Sequence, residues 1–211
     1  MNPAADDIGI TEAVLGTLAA DGATHLAPLG FRRENGLVVL APFHPSRTLD
    51  NLRQRGVASI SHVCDVRVFA GCLTGQRDWP LAACEHVACA RLAEAVAHHE
   101  LRVLRVDDSD LRRPRFLCHE LLVASHRPWP GYNRAQAAVL EACILVSRLH
   151  LLPSAQVRAE LEHLRIAVDK TAGGREREAW QWLMQRVDDA FGAEALASAG
   201  NAPQPDRQAP R

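Results

Sequence analysis

The sequence predicts an α+β protein, a β-barrel followed by a helical extension, on three observations. Asn35-Gly36 stands between two apolar runs, and both central positions of a type I′ turn need positive φ, which makes this pair a strong hairpin signal. Apolar residues alternate with polar ones in Val57 to Val63, as they do in a half-buried strand. Beyond Trp129-Pro130-Gly131 the apolar residues change to helical spacing. A chain of 211 residues with 47% hydrophobic content has enough apolar surface for a sizeable core, which excludes global disorder. The expected division is a barrel over residues 1–130, three helices over 131–197, and a disordered tail over 198–211.

Taken in order, Thr11 to Ala19 is a strand and Asp21-Gly22 a turn. Thr24 to Arg32 is the next strand, with Pro28 marking an edge or a bulge because proline cannot donate to a ladder. Gly36 to Ala41 follows the hairpin turn as a buried strand. Pro42 and Pro45 then break the chain ahead of a short helix, which Ser46 or Thr48 can cap and Gly56 closes. Leu81 to His99 is ambiguous between helix and strand, whereas Leu101 to Val106 and Phe116 to Val123 read as strands. Helices are expected over Ala135 to Leu152, from a cap at Ser154, and over Arg175 to Phe191, with Gly173-Gly174 as the break.

Charge narrows the function. With 24 Lys+Arg against 25 Asp+Glu, the chain lacks the bulk positive field of a nucleic-acid binder. No apolar run is long enough to span a membrane, and MNPAADDIGI has no apolar signal core, so a cytoplasmic protein is expected. Six cysteines without a Cys-x-x-Cys pair give neither a zinc ribbon nor a redox motif. Lys170 is the only lysine, so arginine abundance reflects compositional bias and carries no weight by itself.

The sharpest chemical signal lies at Pro42 to Arg53. Ser46, Arg47 and Thr48 put hydroxyls, a guanidinium and first-turn N–H groups within one helical turn, the donors that a phosphate needs, and Asn51 lies one turn on. A plain cap with a surface arginine is the alternative. Ala27-Pro28-Leu29-Gly30 offers small side chains and a kinked backbone against which a planar ring can lie, or simply a strand with a proline. Cys84, Glu85, His86 and Cys89 form a cluster whose spacing fits no familiar zinc finger, and no metal site is assigned. Walker A, GxGxxG, Gly-x-Ser-x-Gly and His-Glu-x-x-His sequences are missing, so no catalytic residue is named. Glu141 and Arg148 fall on one helix face as an ion pair or a subunit contact, and Lys170 either contacts a ligand or complements a helix end.

Together these motifs resemble a known family. Leu15-Gly16-Thr17, Asp21-Gly22, Ala27 to Gly30, Pro42, Ser46-Arg47-Thr48 and Asn51-Leu52 are similar to FMN-binding split-barrel proteins. Asn133-Arg134, Glu141-Ala142, Ser147-Arg148 and Lys170 to Gly174 resemble domain-of-unknown-function family 447, found in archaea and in bacteria that handle one-carbon units through tetrahydromethanopterin. The resemblance spans Ile10 to Val187, with Leu29 and Ala172 departing from the usual Met and Gly. It implies an FMN-binding split β-barrel with a C-terminal helical extension, a homodimer, and FMN near the dimer interface. Ser46, Arg47, Thr48 and Asn51 would hold the phosphate, with Thr17 and the backbone of Ala27, Pro28, Leu29 and Gly30 beside the ring. The expected activity is that of an oxidoreductase acting on a small molecule, with a pterin among the candidates. A non-catalytic dimeric binding protein and, behind it, a zinc-dependent hydrolase using Cys84, His86 and Cys89 are the alternatives.

Overall fold

The structure, a computed structural model, describes residues 9–200, with the backbone alone from residue 193 onward. From residue 201 on, the expected tail lies outside the described residues. Six strands close into an antiparallel barrel: β1 (Thr11–Leu18), β2 (Thr24–Glu34) and β3 (Leu37–Leu40), then β4 (Val57–His62), with β7 (Ala97–Asp107) and β8 (Arg115–Ser125). The order around the barrel is β1-β2-β3-β8-β7-β4, and β4 pairs back onto β1. Asn35 and Gly36 both have positive φ in the two-residue β2–β3 turn. Closure leaves little free sheet edge that would otherwise invite pairing with another chain, the stretch of β2 before Phe31 excepted.

The barrel is filled by Ala13, Leu15, Phe31, Val38, Leu40, Ala58, Ile60, Leu101, Phe116 and Cys118. One end is stoppered by α1 (Arg47–Arg55), which sends Leu49 and Leu52 into the same core. Ser46, rather than Thr48, caps this helix: its Oγ accepts from the Leu49 N–H at 3.2 Å. Gly56 closes it with φ 63, a left-handed position that glycine occupies without strain. At the other end a polar network replaces apolar packing. Arg33 pairs with Glu120, the Glu120 carboxylate meets His99 Nδ1, and His99 Nε2 lies 2.9 Å from His62 Nε2.

Pro28 marks an edge and not a bulge. The β1–β2 register runs unbroken from Thr11↔Phe31 to Leu18↔Thr24, and β2 takes up β3 only from Phe31 onward. Over 24–30, β2 therefore has β1 on one side and no second strand on the other. Leu26 C=O faces that open side, since it accepts from Cys72 Sγ at 3.8 Å. With a period of two, Pro28 faces the same way, where its missing N–H breaks no ladder bond.

Between β4 and the ambiguous segment lies a helix, α2 (Arg67–Thr74), not expected from the sequence. The ambiguous segment itself, Leu81 to His99, resolves into a small hairpin, β5 (Leu81–Ala83) with β6 (Ala90–Leu92), and the start of β7, four residues earlier than expected. The hairpin lies on the barrel wall, where Leu92 N–H donates to Ser61 Oγ and Ala90 N–H to Thr24 Oγ1.

Three helices follow: α3 (Arg134–Val146), α4 (Ser154–Thr171) and α5 (Gly174–Gly200). They share an apolar core with α2 and with Val14 on the outside of the barrel. Pro153 occupies the N-cap position of α4, and α3 stops before Arg148, which leaves that residue exposed in the turn beyond it. The motifs at either end of this region meet in space. Asn133 Oδ1 accepts from Ala135 N–H, Thr171 Oγ1 accepts from the same N–H at 3.0 Å, and Asn133 Nδ2 donates to Thr171 C=O. Glu176 accepts from Gly173 N–H and from Gln136, which fixes the bend between α4 and α5. These residues cap and join helices.

Candidate functional site

A cleft of about 150 Å3 opens at the start of α1, lined by Thr24, His25 and Leu26 of β2, Arg47, Cys72 of α2, and Arg77, Trp79 and Leu81 beyond it. Its charge is predominantly positive. Arg47 is exposed at the mouth, and Arg77 is held by donating to Cys72 C=O at 3.0 Å. His25 lies between them, its pKa pushed below the usual imidazole range by burial and then by the charges of Arg47 and Arg77. Asp21 stands on the rim, its carboxylate already accepting from Ala23 N–H.

The backbone adds donors of its own. The N–H groups in the first turn of a helix have no intrahelical partner. In α1 the Ser46 side chain satisfies that of Leu49, and Asp50 N–H begins the intrahelical ladder by donating to Ser46 C=O, which leaves Arg47 and Thr48 N–H at the positive end of the helix. An anion seated there would meet two guanidinium groups and a helix start together.

The expected site residues separate into three groups. Arg47 lines the cleft, and Ser46 precedes it as the cap of α1. Ala27, Pro28, Leu29 and Gly30 continue along the open side of β2, half-buried throughout and leading away from the cleft. Thr17, Thr48 and Asn51 are buried behind it: Asn51 Nδ2 donates to Thr17 Oγ1 at 2.9 Å, and Thr17 Oγ1 donates in turn to His25 C=O at 3.5 Å. This chain ties α1 to β1 and to the very residue that lines the cleft.

Sequence reasoning missed His25, Arg77 and Trp79. Arg77 and Trp79 come from the loop after α2, and no spacing rule connects that loop to α1. His25 carried a weak signal, since it lies two residues from the Ala27-to-Gly30 stretch. Glu12 was missed as well. It lies against Gly30, where an added Cβ would come within 3.0 Å of Glu12 Oε1. Burial raises the Glu12 pKa, Glu141 raises it further, and Arg113 opposes both.

Comparison with known proteins assigns the chain to a family. Residues 11–127 match the N-terminal domain, and residues 133–185 a second model, of the family described as "Protein of unknown function (DUF447)". The chain belongs to the DUF447 family. No curated protein matches it. Among solved structures, it is similar to the FMN-bound protein MM1853 from Methanosarcina mazei, of the same family, at 18% identity and a TM-score of 0.74. That match covers 86% of this chain and 97% of the other, so the DUF447 fold extends over barrel and helices alike. A 2-nitrobenzoate 2-nitroreductase from Pseudomonas fluorescens also matches, at 18% identity and a TM-score of 0.48, covering 58% of this chain and 68% of that one. The styrene monooxygenase flavin reductase of Pseudomonas putida S12 matches at 17% identity and a TM-score of 0.47, covering 56% and 82%. The expected split-barrel architecture with C-terminal helices is the fold of this chain, on its own closed six-stranded barrel and on the match to the Methanosarcina mazei protein.

Proposed function

We propose that this DUF447 chain binds FMN without a covalent bond and works as an oxidoreductase on a small molecule. The observation that carries the reading is the cationic cleft at the start of α1, continuous with the open side of β2. A cleft of about 150 Å3 is too small for a whole flavin, given that sites for drug-sized ligands enclose roughly 300–1,000 Å3. It suits the phosphate end, and the four residues beyond Leu26, Ala27 to Gly30, at about 3.3 Å each, extend the binding surface by roughly 13 Å for the rest of the molecule. The FMN held by the Methanosarcina mazei relative supports the same assignment.

In this reading Arg47, Arg77, Ser46 and the first N–H groups of α1 hold the phosphate. Thr17 and Asn51 position α1 and His25 from behind. The backbone and small side chains of Ala27 to Gly30 face the ring. Bound there, FMN supplies hydride or electron transfer, which no side chain can provide. Glu12, at the Gly30 end and held toward its protonated form, is the group that this chain offers for keeping or moving a proton.

A homodimer belongs to the proposal, with a pterin among the first substrates to assay. An exposed aromatic pair, Trp129 and Tyr132 with ring centroids 6.1 Å apart, supports a further contact surface. The test is a fluorescence titration with FMN. Arg47→Ala removes one charge-assisted contact of about 1.5–3 kcal/mol, so affinity is expected to fall roughly 10- to 150-fold. Unchanged affinity would remove the cleft from the flavin site.

A further inference from the structure

A second polar cluster lies at the turn end of the β5–β6 hairpin. The β5–β6 register pairs Leu81 with Leu92 and Ala83 with Ala90, so its next step places Cys84 opposite Cys89. The two thiols lie close enough to interact. Beneath them lie His98 and Glu100 of β7, only 2% and 0% exposed. One ligand atom each from Cys84, His98 and Glu100 falls within 4.8 Å of the other two. Cys89, opposite Cys84 in the hairpin register and buried, stands outside that trio and is the thiol nearest at hand to complete it.

We infer that Cys84, Cys89, His98 and Glu100 form a zinc site that fastens the β5–β6 hairpin to the barrel wall. Two thiolates, an imidazole and a carboxylate are the donor set that selects zinc among the common cellular cations. In a tetrahedral zinc site with bonds of about 2.0–2.3 Å, donor atoms stand roughly 3.3–3.8 Å apart, so Cys84, His98 and Glu100 need to close by no more than about 1–1.5 Å, with Cys89 brought in from the facing strand. His98 presents Nε2 toward Glu100 Oε1 at 3.1 Å, and its Nδ1 lies 2.9 Å from His126 Nε2. That is how a zinc-bound histidine is held, with one nitrogen at the metal and the other tied to an outer partner.

The fully buried Glu100 carboxylate accepts from Glu85 N–H at 2.7 Å and from His86 N–H at 2.6 Å, so its oxygens are already held in place at the cluster. The His86 ring plays no part: it is exposed, and the residue contributes only its backbone N–H. Four protein donors leave no open position for water, so the site is structural and differs from a hydrolytic zinc centre.

The test uses the full chain, purified under reductant, stripped with a chelator and titrated with cobalt(II) alone. One cobalt per chain is expected, with thiolate-to-cobalt charge-transfer bands and the visible bands of a tetrahedral site, all lost on adding zinc. Cys84→Ser and Cys89→Ser should each reduce the thiolate band to about half. His126→Ala should weaken affinity about 10- to 100-fold, the usual scale for an outer partner, and His86→Ala should change nothing. No thiolate band in the wild-type chain would overturn the site, whether or not the variants fold. So would a Cys84–Cys89 disulfide in the reduced preparation, or an undiminished band in both serine variants.

Discussion

Asn51→Ala distinguishes a residue that touches the flavin from one that holds the helix beside it. Asn51 is 5% exposed and Thr17 is fully buried, and the 2.9 Å bond between them is the main partner of each. Truncation loses a net hydrogen bond of about 1 kcal/mol and orphans the Thr17 hydroxyl, whose remaining contact is the 3.5 Å approach to His25 C=O. An unsatisfied buried hydroxyl costs about 1–3 kcal/mol, so a total near 2 kcal/mol is expected. For a chain of this size that lowers Tm by roughly 4–8 °C. Thermal and urea denaturation of the flavin-free protein measure it. Thr17→Val with Asn51→Leu removes both polar groups together and should recover part of the loss, leaving a coupling of about 1–2 kcal/mol in the double-mutant cycle. Unchanged stability of flavin-free Asn51→Ala, combined with weakened FMN binding, would show that Asn51 faces the ligand and refute the buried pin.

Three further outcomes follow from the same geometry. Burial and then the charges of Arg47 and Arg77 push His25 below the usual imidazole value, so an anion that offsets those charges in the cleft should raise its pKa; NMR of the imidazole with and without FMN measures this, and no change would place the phosphate elsewhere. At the polar end of the barrel, burial and then the His99 and Arg33 charges lower His62 to about 4. At Glu120, burial alone would act upward, but hydrogen bonds from His99 and Arg33 outweigh it and bring the carboxyl to about 2. Both groups favour the deprotonated form when folded, so stability should fall with pH from about 6.5 toward 4 through His62 and from about 4.5 toward 2 through Glu120; His62→Gln should flatten the upper part of a urea-midpoint profile. Gly16→Ala would place its Cβ 2.4 Å from Ser59 Oγ and 2.7 Å from Ala90 C=O, so it should displace the β5–β6 hairpin at about 1–3 kcal/mol, read as lowered Tm and faster hydrogen exchange at Ala90 and Leu92.

Much of the fold was legible where local chemistry and tertiary structure agree. Asn35-Gly36, Ser46 and Gly56 each mark an element boundary because the turn or cap requires that residue. The start of β7 was hidden because His98, His99 and Glu100 read as polar, although partners from other elements bury all three. The α2 helix carries no side-chain cap and spans only eight residues, too few to show a helical period. In the candidate site, Arg47 was visible because it lies within one turn of its cap. Thr48 and Asn51 could have been placed on the inner face of α1, since each precedes a core leucine, Leu49 and Leu52. The contributions of His25 and Arg77 are set by the crossing of β2 with the loop after α2. Such a crossing has no local sequence signature.

The most direct measurement compares the affinities of the wild-type chain for FMN and for riboflavin, which differ only in the phosphate. The account predicts that FMN binds at least about tenfold more tightly, through the cleft at the start of α1. Equal affinities, or no binding of FMN, would contradict it.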